Sequence, residues 1–403
     1  MNSFDVVVVG GRVSGASTAL LLARAGVRVA LVDRGRYGSD TLSTHGLMRA
    51  GVLQLGRWGL LDEVVAAGTP PIRRSLFHYA DGETVQVSIR PSAGVDALYA
   101  PRRHILDRIL VDAAGGAGVE VLHEMTVTAL LRDRRRVRGV RAKDRKGRAV
   151  DLRAPMTVGA DGIRSLVAAQ AGAPVIRQGR SASAVLYRYF ADLEAAGYEW
   201  AYGAGAAAGL IPTNQEQTCV FVATSPERMR AQRGAGAEEA FATLLGRAAP
   251  ALPDRVAAAE PAGRMHGWAG MPGYIRRSSG PGWALVGDAG YYKDPITTHG
   301  MTDALRDAEL LTDALLEGMA GGVREQVALA KYESTRDRLS SQLFAATEAV
   351  AAYDWDIDGV RTLLRQVSSA MSDEVELLQG LPARRVSPPL RAGVRASSVL
   401  APR

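Results

Sequence analysis

Cysteine is almost absent: Cys219 is the only one in 403 residues. Intramolecular disulfides and cysteine-based metal clusters are thereby excluded, and the usage fits a reducing compartment. Cys219 sits in the apolar run Thr218-Cys-Val-Phe-Val222, where packing is its expected role. No stretch approaches the roughly 18 consecutive apolar residues of a membrane-spanning helix. The first residues lack the basic segment and apolar core of an export signal, so a cytoplasmic location is expected. Aromatic residues are sparse at 6%, and the six histidines form no ligand cluster along the chain. The net charge of +7 is spread out, with its densest run, Arg132-Asp-Arg-Arg-Arg136, reading as a hairpin turn between two strand-like segments. A solvated surface explains that run better than nucleic acid does, and anionic cofactors or substrates are a more economical outlet for the positive balance.

What is present is concentrated at the start. Asp5-Val-Val-Val-Val-Gly10 reads as a strand buried on both faces, as in a parallel sheet. A glycine turn follows, then a helix with apolar residues on one side that closes at Gly26, then a second strand, Val27 to Asp33. This is the layout that places a pyrophosphate on a helix N-terminus and an acid, Asp33, on ribose hydroxyls. Gly10 and Gly15 occupy the outer positions of the G-x-G-x-x-G fingerprint, followed through Val13 and Ser14, but Arg12 stands in the middle. An arginine there can meet a pyrophosphate with its side chain in place of the close backbone approach that glycine allows.

The length suits two domains, interleaved in sequence. Arg34 to Leu47 is a polar loop on the cofactor side and contains His45, and Met48 to Ala67 reads as one helical stretch ended by Pro70-Pro71. Ser75 to Ile89 alternates as a hairpin about Asp81-Gly82, and a helix over 105–114 follows Arg103. Strands are expected near 119–123, 125–131, 136–143 and 148–153, then a buried strand runs into Asp161-Gly162. Between about 176 and 275 the chain changes to strand-like runs with aromatics, interrupted by a helix near 235–247. A buried strand returns at Gly282 to Asp288, followed by an irregular segment and helices over 301–319, 322–350 and 355–379. The tail from Arg384 is expected to be a strap or partly disordered.

Three motifs together carry a resemblance: Gly10 to Gly15 with Asp33, Asp161-Gly162-Ile-Arg-Ser165, and Gly287-Asp288-Ala289 with Pro295, Gly300 and Asp307. The chain resembles the FAD-dependent monooxygenases of the aromatic hydroxylase type, the superfamily of para-hydroxybenzoate hydroxylase and many antibiotic-pathway hydroxylases. The resemblance spans about 1–345. It implies an α/β fold: a Rossmann-like FAD-binding domain of glutathione-reductase type, an inserted mixed or antiparallel β-sheet substrate domain, and a helical C-terminus. The corresponding boundaries are 1–74, 95–175 and 276–345 for the FAD domain, 75–94 and 176–275 for the substrate domain, and 346–403 for the C-terminal helices and tail. Cofactor contacts are implied for Gly10, Arg12, Val13, Ser14, Gly15, Asp33, Arg34, Arg103, Asp161, Gly287, Asp288, Gly300, Met301 and Thr302. The helix beginning near Gly300 would aim its amides and dipole at the flavin pyrimidine edge.

The implied activity is hydroxylation or epoxidation of an apolar or aromatic small molecule of secondary metabolism, with NADPH or NADH and O2, through a flavin C4a-hydroperoxide. Flavin-proximal candidates are His45, Tyr291, Pro295 and His299, and substrate-wall candidates are Tyr187, Tyr189, Trp200, Ile211, Pro212 and Trp268. No metal, nucleic acid or membrane span is implied, and a homodimer is compatible. The chain departs from the family pattern at Arg12, at Ala168 where an arginine is usual, at Gly290-Tyr291 in place of Ala-His, and at Thr297, His299 and Thr302. A flavoprotein reductase resembling the geranylgeranyl reductases stays open on Tyr198-Glu-Trp200, as does a non-enzymatic flavin redox sensor. A flavin halogenase is disfavoured, because of its Trp-x-Trp-x-Ile-Pro stretch only Ile211-Pro212 is present.

Overall fold

In a computed structural model, residues 4–43, 45–232, 234 and 236–382 are described, so the expected tail from Arg384 lies outside the described residues. The four valines Val6–Val9 are fully buried and form the middle of a six-stranded sheet. Val6–Val9 pair in parallel with Val29–Val32 on one side and Met156–Gly159 on the other. Glu120–Leu122 and Trp283–Leu285 extend the parallel set outward, and Ser279–Gly280 closes one edge antiparallel. Strands this apolar have no polar face to give to water, which is why helices cover the sheet. Helix Val13–Arg24 and helix Gly300–Met319 pack together on it, joined by Arg103–Gly116.

A separate seven-stranded sheet begins with the hairpin Arg74–Tyr79 and Thr84–Ser88. Tyr198–Gly203 pairs with Arg74–Tyr79 in parallel, and the remaining pairings in this sheet are antiparallel. Strict alternation puts Tyr187, Tyr189, Trp200, Tyr202, Ile211, Cys219 and Phe221 in one buried cluster with the long C-terminal helices. The opposite face packs Phe190, Leu210, Val220 and Val222 on helix Ala237–Ala248. Cys219 is fully buried among these side chains.

Two local readings change. The single helix expected over 48–67 is two, Arg49–Arg57 and Leu61–Ala66, because Gly59 turns at φ +71° and Trp58 inserts into the core. The short helices Pro226–Ala231 and Leu252–Ala257 are additional. The first carries its own start signal: the Ser225 hydroxyl accepts from the Arg228 amide, and Pro226 sits at the first helical position. The C-terminal helices run over Glu325–Val350 and Ile357–Gln379, and Asp356 caps the second through the Gly359 amide.

Candidate cofactor and active site

The three motifs that lie far apart in sequence meet at one place, the carboxyl edge of the parallel sheet. The strands ending at Val9, Val32, Gly159 and Leu285 run the same way, so Gly10, Asp33, Asp161 and Asp288 all emerge on that edge. Ligands bind at this edge in open α/β sheets because helix N-termini point there. The glycines are required by contact. Gly10 adopts φ +106°, and a Cβ on it would lie 2.3 Å from the Ala160 carbonyl oxygen. A Cβ on Gly15 would lie 1.8 Å from the Gly10 carbonyl oxygen, so the helix can approach the strand only with glycine there. Arg12 caps helix Val13–Arg24 in extended backbone and gives it no side-chain cap, which leaves the first amides of the helix without an intrahelical partner.

At the adenosine end, Asp33 accepts from the Gly11 amide and the Gly35 amide, each at 2.6 Å. A carboxylate has about four acceptor sites, so two bonds leave room for ribose hydroxyls. Asp33 borders a cleft with Arg12, Arg36, Tyr37, Ser39, Asp107 and His123. Arg12 is held from behind: its Nη1 donates to the Ser39 carbonyl at 2.5 Å and to Asp107 at 2.9 Å, and its Nη2 to the Ser39 hydroxyl at 3.0 Å. Arg103 pairs with the same Asp107 carboxylate at 3.1 Å, so one acid orients both arginines. Arg34 is exposed.

At the other end, Asp161 accepts from the Ser165 hydroxyl at 2.5 Å and the Val167 amide at 3.1 Å, fixing the start of helix Leu166–Ala171. Tyr274 ties this turn to the Gly287-Asp288 turn, donating to the Asp288 carbonyl at 2.5 Å and lying 3.3 Å from the Ile163 carbonyl. Gly287 takes φ +60° and faces the Ser14 side chain, so helix Val13–Arg24 and the Gly-Asp turn are in contact. The Asp288 carboxyl is pushed up to about 6 by burial, against the pull of Lys293 and Arg103. Ribityl hydroxyls are the kind of donor such a carboxylate needs.

The loop from Tyr291 to His299 leads into helix Gly300–Met319, whose first amides also lack side-chain caps. Gly300 is exposed, and a Cβ there would meet nothing within 4 Å. Open space therefore lies in front of this helix start. Loop 45–48 closes over the same place: the Met48 amide donates to the Thr302 hydroxyl at 3.1 Å, and Gly46 packs against the Thr298 methyl. Two buried polar atoms of this closing loop and turn, His45 Nδ1 and Thr298 Oγ1, have no hydrogen-bond partner among the described residues. Buried polar groups are normally paired, so these two mark a place built for a polar ligand.

The candidate wall residues separate. Tyr187, Tyr189, Trp200 and Ile211 lie on one face of the large sheet, and Trp268 packs against them half-buried. Pro212 ends its strand next to that face and is half-buried. Tyr189 shares a hydrogen bond with His45 Nε2 and stacks on it at 5.7 Å between ring centres. Tyr187 stacks on His266 at 4.9 Å, and the Arg102 guanidinium lies 3.7 Å over the Tyr189 ring. His45 is fully buried at φ +64°, a conformation uncommon for any residue with a side chain. Burial, with Arg102 beside it, pulls its imidazole down to about 3, so it stays neutral at ordinary pH.

Behind the helix start is a set of buried charges of which sequence reading singles out only His299 and Asp307. Lys293 pairs with Asp303, Arg306 with Asp303, Asp307 and Glu374, and His299 with Glu374 at 2.7 Å. Ligand atoms of His299, Asp303 and Glu374 lie within 4.8 Å of one another, a spacing compatible with a cation. Lys293 and Arg306 already supply that positive charge. Asp107, Tyr274, Lys293 and Glu374 had no local signal, since their partners are distant in sequence; only Lys293, an unusual charge inside a Gly-Asp loop, could have drawn notice.

The residues present fit FAD. Two glycine contacts that exclude any side chain, uncapped helix starts at both ends, a ribose-ready Asp33, and two unpaired polar atoms suit its phosphates, sugars and ring in order. Comparison with known proteins agrees. The chain is 27% identical over 360 residues to digeranylgeranylglycerophospholipid reductase of Methanothrix thermoacetophila, covering 84% of each. It is similar along 92% of its length to all of PqsL, a probable FAD-dependent monooxygenase of Pseudomonas aeruginosa, at 25% identity and a TM-score of 0.73. It shares the fold of the flavin-dependent brominase Bmp2, at 18% identity and a TM-score of 0.79 over 95% of each chain. The family model described as an FAD binding domain matches residues 3–347, and the chain belongs to that family as an FAD-dependent oxidoreductase.

Proposed function

We propose that the chain is a monooxygenase that takes reducing equivalents from NADPH or NADH and transfers one oxygen atom from O2 to an apolar or aromatic small molecule, by hydroxylation or epoxidation. The observation that carries this reading is the aromatic wall of Tyr187, Tyr189 and His266 joined through His45 to loop 45–48, which closes over the start of helix Gly300–Met319. FAD, when bound and reduced, supplies the oxygen chemistry. The chain's own groups do the rest. Gly10, Val13, Ser14 and Gly15 receive the pyrophosphate with Arg12 and Arg103 beside them, Asp33 takes the ribose, and Asp288 takes the ribityl hydroxyls. The amides at Gly300, Met301 and Thr302 would stabilise negative charge on the ring. Pro295 and Tyr291 shape the loop, and neutral His45 holds a proton at one nitrogen while Tyr189 occupies the other. Tyr187, Trp200, Ile211, Pro212 and Trp268 limit the substrate to an apolar or aromatic body and keep water out.

A second reading has a specific support: the curated relatives that cover most of the chain are named as lipid reductases. A reductase would saturate a double bond on an isoprenoid without using O2. One experiment separates the two. The purified protein is reduced with NADPH or NADH without air, then given labelled O2 and candidate aromatic or polyprenyl substrates. One labelled oxygen atom in an aromatic product supports the monooxygenase. A hydrogenated product with no oxygen uptake would overturn it in favour of the reductase.

A further inference from the structure

We infer that His299 and Glu374 are positioning residues of a buried proton site that responds to the charge on the flavin. The inference rests on the flavin ring facing the start of helix Gly300–Met319, as proposed above. His299 is the cap of that helix, and its side chain is fully buried. Its Nε2 lies 2.7 Å from Glu374, delivered by helix Ile357–Gln379, and 3.8 Å from Asp303 in the first turn of its own helix.

The charges do not balance. Three carboxylates, Asp303, Asp307 and Glu374, face the Arg306 guanidinium and Lys293, whose ammonium is pulled down to about 7 by burial with Arg306 beside it. The side chains of these five groups are between 0% and 5% exposed, so water cannot balance them. Helix Glu325–Val350 adds Arg336 toward Asp307, but Arg336 is paired with Asp337, and Asp288 faces Lys293 from the Gly-Asp turn, so the acids still outnumber the cations. Tyr291 borders Arg306 and Lys293 from the loop, with its hydroxyl kept neutral by burial. An uncompensated buried charge is costly, and a bound proton reduces it. His299 is placed to carry that proton, because it alone is a neutral base bonded to one of the acids. Burial, with Lys293 and Arg306 beside it, outweighs the Glu374 carboxylate and holds the imidazole below its ordinary value, so it has room to take a proton when negative charge is added nearby. Those opposed effects leave the proton sensitive to any new charge at the helix start.

The network is also incompletely bonded, which a purely structural salt-bridge cluster would avoid. His299 Nδ1 and Asp307 Oδ2 have no hydrogen-bond partner among the described residues. When two electrons add negative charge to the flavin in front of Gly300, a proton entering at His299 offsets it. No oxidant or reductant beyond the nicotinamide is needed, and the proton comes from solvent.

The test compares the midpoint potential of bound FAD in wild type, His299→Gln, Glu374→Gln and the double variant, across pH, by spectroelectrochemistry. His299→Gln removes the base that can take the proton and leaves the Glu374 carboxylate in place. It should weaken binding of reduced relative to oxidised FAD by roughly tenfold, the effect of one partly screened unit charge at close range. The double variant removes the acid together with the base and should return to within about twofold of wild type. Equal shifts in the single and double variants would mean that His299 only packs, and would overturn the proposal. Nitrogen-15 histidine spectra of the apoprotein give an arm that needs no flavin. There His299 should titrate in wild type and remain neutral in Glu374→Gln; a signal unaffected by Glu374→Gln would also overturn it. If the wild type takes up no FAD, the functional reading fails while this second arm still decides the proton site.

Discussion

Arg12 offers the sharpest test of how the cofactor is held, because it replaces the glycine that normally lets backbone reach the pyrophosphate. Its guanidinium has five N–H donors. Three are engaged, two with Ser39 and one with Asp107, which leaves two for a phosphate. The side chain is 31% exposed on the cleft, whereas the Asp107 side chain is 6% exposed beneath it, so the free donors face the ligand side. One hydrogen bond to a charged group contributes about 1.5–3 kcal/mol, which is roughly 10- to 150-fold in affinity. Arg12→Ala should therefore raise the Kd for FAD by one to two orders of magnitude, read by fluorescence titration of the apoprotein. Arg12→Lys should recover little, since a single ammonium cannot keep the Ser39 and Asp107 contacts and reach a phosphate as well. Arg103 remains paired with Asp107 in the variant, so the acid is not stranded and the fold should persist. An unchanged Kd with a lowered melting temperature would refute the reasoning, because Arg12 would then be a tether for loop 34–46 and nothing more.

Other outcomes follow from contacts already described. Gly15→Ala places a methyl 1.8 Å from the Gly10 carbonyl oxygen, so the helix must shift; a loss of at least about 3 kcal/mol in urea unfolding, with loss of FAD, is expected. An alanine variant of native stability would show that the helix can retreat without cost. His45 gives a pH prediction. Its folded value of about 3 lies below the unfolded value of about 6.5, so its contribution is full above about 6.5 and is lost as pH falls toward 3. Between those limits wild type should lose about 1.4 kcal/mol per pH unit from this residue alone, and His45→Gln should remove that part of the slope. Equal slopes for wild type and His45→Gln between pH 6 and 4 would contradict the neutral assignment. Glu199, bonded by His78 and Arg255 and held down to about 2 mainly by these partners against burial, works oppositely in origin but with the same sign: Glu199→Gln should destabilise the protein at pH 7 and less so near pH 3.

The sequence made the cofactor edge legible because each of its parts is specified locally. Four consecutive valines can be satisfied only inside a parallel sheet, and Gly10, Gly15 and Gly287 are fixed by contacts that tolerate no Cβ. A strand followed by a turn and an acid also says which edge it belongs to, so Asp33, Asp161 and Asp288 could be assigned to one edge before their distances were known. The break at Trp58 to Leu60 was legible as well, since Gly59 inside a helical pattern is a stop signal; the apolar period on both sides outweighed it. What pattern could not supply was which distant groups would share a carboxylate. Asp107 looks like an ordinary polar residue of an amphipathic helix, yet its partner Arg12 lies 95 positions earlier. Glu374 looks like one acid among several in the last described helix, yet it meets His299 75 positions away and alters the charge at the flavin-facing helix. Tyr187 and Tyr189 were visible as strand aromatics, but their partners His45 and His266 come from a loop and from the other edge of the pairing strand. Burial with Arg102 sets the protonation of His45, and burial against Glu374 that of His299, neither of which a local pattern shows. The part of the function still to be measured therefore lies in the charges, and the potential of bound FAD reads them directly.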